Sequence, residues 1–415
     1  MPAPKRTRSE LSVVVYLAFL GVLMAFGIDV SLPAFDELRA EFDLDARGVS
    51  VGIVGTLYIL GTATGQLVYG AASDRFGRRN VMLVGISLYA LGALGAAMAP
   101  TLEVLLLSRL VWGLGAAAPY VLRLAIVRDL YEGDRMARVV TIVMAVFLIG
   151  PIFVPLVGEA ILVVGTWQTV FMAALLLAVA AFGWTIGFGE TLDPAARQPF
   201  DLGAFGRATR AVVSNRVTIG HIIAMTLLAV PFFVYLGSAQ PIIDQIYGRP
   251  EQFALLFAAS GVLMAATLLV NNRLIARFGT ARMVMLSAVA LAVVGVVGLV
   301  LVVATDGVPS IWLWFGWAAI SNSLSVILAP MCSALALEPM GEIAGTASAL
   351  LGFISLAGGA LLAAIVDAMI EDTVTPMVLA YALYGLAALA VLRWARPGQH
   401  PATSPAPEPA TYPAH

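Results

Sequence analysis

Charge is what this sequence has least of. Only 12% of its 415 residues are Asp, Glu, Lys or Arg, against about 25% in a soluble domain. A chain so poor in charge cannot cover itself with a water-compatible surface. Its 60% hydrophobic residues and mean hydropathy of +0.95 make lipid the expected solvent. Cysteine is nearly absent: Cys332 stands alone, so no internal disulfide can form, and no cysteine/histidine cluster suggests a metal site. Lys5 is the only lysine, and a net charge of −2 argues against nucleic acid as a partner. No nucleophile–base pair, nucleotide loop or large soluble domain marks an enzyme or a receptor. No cleavable signal is expected, because the first apolar stretch runs well past a signal-peptide core.

What is present is a series of apolar stretches of about 20 residues, the length that crosses a bilayer as a helix. There are twelve, at 12–35, 50–71, 81–99, 102–126, 139–163, 167–188, 217–237, 253–275, 283–304, 311–335, 343–366 and 376–394. This predicts an all-α integral membrane protein of two six-helix halves, 12–188 and 217–394. Residues 1–11 precede them as a cytoplasmic segment, and a polar cytoplasmic linker at 189–216 carries Glu190, Asp193, Arg197 and Arg207. The tail 395–415, rich in Pro, Ala and Thr, is expected to be disordered. Lys5, Arg75, Arg78, Arg128, Arg135, Arg210, Arg277, Arg393 and most other basic residues fall on one side, and only Arg39, Arg47 and Arg249 on the other. That asymmetry places both termini in the cytoplasm. An internal repeat agrees with two halves: Arg75-Phe76-Gly77 recurs as Arg277-Phe278-Gly279, and Val81-Met82-Leu83 as Val284-Met285-Leu286.

Three motifs carry a family resemblance. Gly70-Ala-Ala-Ser-Asp74-Arg75-Phe-Gly77-Arg78-Arg79 resembles the major facilitator loop motif between the second and third spans. The resemblance implies that its aspartate and arginines latch the cytoplasmic helix ends. Gly70 is expected to let helices approach closely, Gly77 to permit the turn, and Arg78 or Arg79 to meet Asp129. Arg109-Leu-Val-Trp112-Gly113 resembles a fourth-span family motif, with Trp112 where glutamine is usual. Gly150-Pro151-Ile-Phe-Val-Pro155-Leu-Val-Gly158-Glu159 resembles the signature of drug/proton antiporters, with Glu159 where a glycine is expected. Asp29-Val-Ser-Leu-Pro33, Ile126-Val-Arg128-Asp129-Leu-Tyr131 and Tyr247-Gly-Arg-Pro-Glu-Gln-Phe253 are similar to the bicyclomycin/chloramphenicol-resistance (Bcr/CflA) branch. The resemblance implies export of a small-molecule drug in exchange for protons across the bacterial inner membrane. It implies a monomer in the lipid bilayer with no cofactor beyond the proton gradient. An importer or metabolite exporter on the same fold is the alternative.

Proton coupling needs a group that is charged in one state and neutral in another, and ionisable residues inside spans are costly and functional by default. Asp29, Arg109, Arg123, Glu159 and His221 are the candidates. Asp29 and Arg109 are both placed roughly 10 Å below the outer boundary at 1.5 Å per residue, so an ion pair, direct or bridged by water, is expected. Burial disfavours the charged form of a carboxylate and a nearby arginine favours it, so a changing separation switches protonation. Glu159 lies nearer the outer end and His221 opens the seventh span; both read as interfacial or structural. Arg123 reads as structural at the cytoplasmic end, alone or with Asp74 and Asp129. Candidates for a mainly apolar drug cavity are Tyr58, Trp112, Tyr120, Phe232, Tyr235, Gln240, Asn271, Asn272 and Asn322.

Overall fold

A computed structural model describes residues 9–197 and 202–395. The first eight residues and 396–415, nearly all of the expected tail, lie outside the described residues. Fourteen α-helices and no β-strand make up what is described. They are α1 (Glu10–Asp29), α2 (Phe35–Glu41), α3 (Ile53–Phe76), α4 (Arg78–Ala97), α5 (Leu102–Leu130), α6 (Gly133–Leu162) and α7 (Trp167–Phe188), followed by α8 (Leu202–Ser214), α9 (Arg216–Pro241), α10 (Phe253–Phe278), α11 (Thr280–Ala304), α12 (Ile311–Leu337), α13 (Ala344–Asp367) and α14 (Thr375–Ala395). Ten helical stretches are long and apolar enough to cross a membrane by length and composition. The long helices α3 and α6 are not among the ten. Thr56, Thr62, Gln66 and Ser73 make α3 more polar than its neighbours, and all four are buried. Large apolar side chains such as Leu91, Leu176, Val300, Leu361 and Leu383 point outward, as a bilayer-facing surface requires.

The helices pack as two sets. In the first, α5 lies against α3 and α4, α4 against α7, and α1 against α5 and α6. In the second, α9 is central to α12, α13 and α14, with α10 and α11 outside them. The sets meet along α3–α13 and α6–α10. The sequence repeat has a structural counterpart. Gly77 (φ 93°, ψ 151°) ends α3 and starts α4, and Gly279 (φ 79°, ψ 153°) does the same between α10 and α11. Both lie in the positive-φ region that only glycine enters without strain.

One expectation about local structure changes. The apolar run 12–35 is not one helix: α1 stops at Asp29, a 3-10 turn covers Leu32–Ala34, and α2 resumes at Phe35. Pro33, which has no N–H to continue the ladder, sits in that turn. The polar linker also contains a helix. Phe205, Ala208 and Val212 recur at helical spacing in α8. Ala208 and Val212 are buried, and Val212 packs with Ile222, Ala336, Leu350 and Leu351.

Candidate functional site

The break in α1 creates a problem of unsatisfied carbonyls, because the last turn of a helix has no intrahelical donors for them. Here three of the last four carbonyls find a donor. Phe26 O accepts from Val30 N–H at 3.2 Å, Ile28 O from the Ser31 hydroxyl at 3.3 Å, and Gly27 O from Arg109 Nη1 at 2.9 Å. Arg109 also donates through Nε to Val54 O of α3 at 3.0 Å and reaches Ser31 Oγ at 3.4 Å. Its guanidinium carbon lies 4.9 Å from the ring centre of Tyr58, 4.8 Å from Trp112 and 5.8 Å from Phe171. A cation from the N-terminal third of α5 thus caps the C-terminus of α1, where the helix dipole favours positive charge. Upstream, Tyr89 donates to Leu23 O at 2.8 Å and Tyr58 to Met24 O at 3.1 Å.

Asp29 is the last residue of α1 and only 3% exposed. The expected direct ion pair with Arg109 does not form. Arg109 spends its donors on backbone carbonyls and Ser31, and no basic nitrogen among the described residues lies within 4.0 Å of the Asp29 carboxylate. Asp29 and Arg109 are still neighbours, since Arg109 holds the residues two before and two after Asp29. A charged carboxylate buried without a cation costs several kcal/mol; a bound proton removes that cost.

The antiporter-like stretch of α6 docks on this part of α1. A Cβ at Gly150 would lie 2.5 Å from Ala25 Cβ, and one at Gly158 would lie 2.6 Å from Val30 O. The two glycines, eight residues apart on one face of α6, allow it to lie against α1 on both sides of Asp29. Pro155 and Gly158 are buried, and the adjacent Glu159 is half-buried. The Pro151 side chain lies outside the described ones.

At the end of the bundle carrying the loop motif, Arg78 is the hub. It donates to Asp74 Oδ1 at 2.5 Å, Ser73 Oγ at 2.6 Å and Asp129 Oδ2 at 3.0 Å. Asp129 also accepts from the Thr191 hydroxyl at 3.0 Å. Glu190, expected only as linker charge, accepts from the backbone N–H of Arg78 at 2.9 Å and of Arg79 at 3.2 Å. A carboxylate therefore caps α4. This hydrogen-bonded cluster joins α3, α4, α5 and the segment after α7, all within the first set. Arg75 lies over Phe76, 5.1 Å from its ring centre. The close approach expected at Gly70 is absent, because nothing lies within 4 Å of its Cβ position. Gly61 takes that role, against the α5 backbone at Leu110.

Most of the proposed cavity residues turn out to be packed. Trp112 is fully buried, edge-on to Tyr58, Tyr89 and Phe171 with centroids 5.4–6.0 Å apart. Tyr235 stacks on Phe257 at 5.4 Å, and Phe232 lies 6.0 Å from Phe233. Buried Asn271 faces the Met331 sulfur at 3.7 Å. Asn322 accepts from Tyr381 at 3.3 Å. Tyr120 carries Arg123 over its ring at 4.9 Å. His221 is buried with Nδ1 2.7 Å from Val217 O, and Asn272 is exposed. Where the sets meet near the ends of α1, α9 and α13 and the start of α3, the cavity lined by Ile28, Thr56, Ile59, Phe233, Leu236 and Ala360 is only about 10 Å³. That volume admits roughly one water and no drug.

The opposite end of the bundle holds a polar cluster that hydropathy does not reveal. Gln240 of α9 donates to Asp36 of α2 at 2.5 Å, so it is a tie between the sets and not a cavity residue. Arg39 of α2 pairs with Asp36 at 2.9 Å and reaches Asp244 at 3.9 Å. Asp367, just past the expected end of the eleventh span, accepts from Ser238 at 2.5 Å. The signal available in sequence was the Asp36/Arg39 spacing of three on a short helix.

A long-helix bundle in two packed sets, with buried charge at a broken first helix, defines a polytopic membrane transporter. The chain belongs to the Major Facilitator Superfamily, whose family model matches residues 17–363. It is 28% identical over 377 residues to the uncharacterized MFS-type transporter YdgK of Bacillus subtilis, covering 89% of this chain and 92% of that protein. It is 27% identical over 372 residues to the bicyclomycin resistance protein homolog of Haemophilus influenzae, with the same coverage of 89% and 92%. It is 26% identical over 250 residues to the multidrug resistance protein MdtL of Escherichia coli, 60% of this chain and 63% of that one. Among solved structures, a D-xylose–proton symporter superposes with a TM-score of 0.76 at 16% identity, covering 92% of this chain and 97% of the other. The human organic anion transporter MFSD10 gives 0.64 at 19%, covering 93% and 100%. These two establish the fold alone.

Proposed function

We propose that this chain is a proton-driven antiporter that exports small amphiphilic or apolar drugs, amphenicol- or bicyclomycin-like, across the bacterial inner membrane by alternating access. In this reading twelve helices span the bilayer in two halves, 12–188 and 217–394, with both termini in the cytoplasm. The loop latch then faces the cytoplasm and the Asp36–Gln240 cluster faces outward. The observation that carries the reading is Asp29, a buried carboxylate without a cationic partner at a helix break held by Arg109 and flanked by the two α6 glycines. Names of relatives point the same way, toward bicyclomycin and multidrug resistance. The driving force is adequate: one charge moving down roughly 150 mV gains about 3.5 kcal/mol, between two and three decades of drug gradient.

The experiment is a susceptibility panel in an efflux-deficient host, covering amphenicols, bicyclomycin and lipophilic cations. Expression should raise the inhibitory concentration of at least one compound by about fourfold or more, corresponding to under 1 kcal/mol of gradient. The Asp29→Asn variant, expressed equally, should not. An unchanged panel removes the drug-export reading.

A further inference from the structure

Asp367 closes α13 at 4% exposure and takes no part in the Asp29 site. Ser238 donates to its Oδ1 at 2.5 Å. Its Oδ2 faces two glycines from opposite sets. A Cβ on Gly52, just before α3, would come within 2.9 Å of that oxygen, and one on Gly237 of α9 would come closer still. The Gly52 Cβ position is itself 3.3 Å from Gly237 Cα. The carboxyl is therefore wedged into the seam where the two sets touch, and only residues without side chains allow it.

No basic nitrogen among the described residues lies within 4.0 Å of Asp367. The groups facing it are known from each neighbouring element. Arg39 of α2 is engaged by Asp36, with Asp45 at 3.8 Å and Asp244 at 3.9 Å. From α14 comes the phenol of Tyr381, which interacts electrostatically with Asp367 and donates to Pro231 O. On the other side Asp367 borders a pocket of about 320 Å³, lined also by Arg39, Asp45, Ser50, Ser238 and Glu371. That pocket has room for several waters. The closed seam therefore accommodates a neutral carboxyl, and an ionised one needs hydration, for which this pocket has room.

We propose that Asp367 is a proton-operated latch of the outer seam. Carrying its proton, it lets α3 and α9 close around it. When its O–H bond breaks, the electron pair stays on the carboxylate and the proton passes to a water of the pocket and then to the outer solution; the carboxylate draws water in and the seam parts. The latch rests on the alternating-access part of the reading above and not on the drug.

The test uses the full chain in liposomes, with Cys332→Ala and spin labels on Ala46→Cys and Asp372→Cys, both exposed and on opposite sides of the seam. In this background the label distance should lengthen between about pH 5 and about pH 9. Asp367→Asn should hold the short distance throughout, Asp367→Glu should restore the response, and Asp244→Asn should leave it in place. Ser238→Ala removes the donor to the carboxyl and should move the midpoint upward by about one pH unit. A background distance that ignores pH, an Asp367→Asn variant that opens normally, or an unmoved midpoint in Ser238→Ala would each overturn the latch. A distance that responds as described in a protein that exports no drug supports the latch and removes only the drug reading.

Discussion

Arg109→Ala is expected to abolish transport and to lower the thermal stability of the purified protein, by on the order of 3–5 kcal/mol. The side chain is fully buried and donates to Gly27 O, Val54 O and Ser31 Oγ, which ties α5 to both α1 and α3. Truncation removes the cap of α1, leaves Gly27 O without this donor, and opens a void among Tyr58, Trp112 and Phe171. Lysine should not rescue the loss, because a single ammonium cannot reproduce the guanidinium fork or its stacking between rings. The measurement is thermal unfolding in detergent alongside transport in vesicles. An Arg109→Ala protein of normal stability that merely shifts its pH optimum would mean that Arg109 acts on Asp29 through charge and not through the helix break.

Arg78→Ala is expected to leave the protein inserted but slow transport about tenfold or more, equivalent to at least 1.4 kcal/mol on the limiting step. Arg78 joins α3 to α5 through Asp74 and Asp129, and Glu190 still caps the α4 backbone when the side chain is gone. The two partners should differ. The Asp74 side chain is 45% exposed and Asp129 14%, so water screens the first pair and not the second. Asp129→Ala should therefore slow transport more than Asp74→Ala. Cross-linking across the loop end should show altered populations in Arg78→Ala. Wild-type rates and populations in that variant would remove the latch from the cycle.

The membrane class, the positions of most spans and the repeated Arg-Phe-Gly turn were legible because each depends on local composition or on one backbone angle. The α1 break was not. The apolar run 12–35 continues through it, and the donor to Gly27 O at the break comes from Arg109, about eighty residues on. Still larger separations in sequence, 112 and 204 residues, hid Glu190 as the cap of α4 and Gln240 as a partner of Asp36. Trp112 was read as a cavity residue from its place in a family motif, but four neighbours, Tyr58, Tyr89, Arg109 and Phe171, enclose it. Asp367 escaped notice at the edge of a span, where an acid ordinarily meets water; a seam between glycines buries it instead.

Asp29 is expected to carry the proton that drives export. This is tested most directly by reconstituting the protein in liposomes with a fluorescent pH probe inside and adding a drug identified by the susceptibility panel. The wild-type protein should show drug-dependent proton movement, and an imposed pH gradient should drive the drug uphill. Asp29→Asn should bind drug but show neither, and Glu159→Gln should keep most of both. Proton movement that persists in Asp29→Asn and vanishes in Glu159→Gln would contradict the account and move the proton to α6.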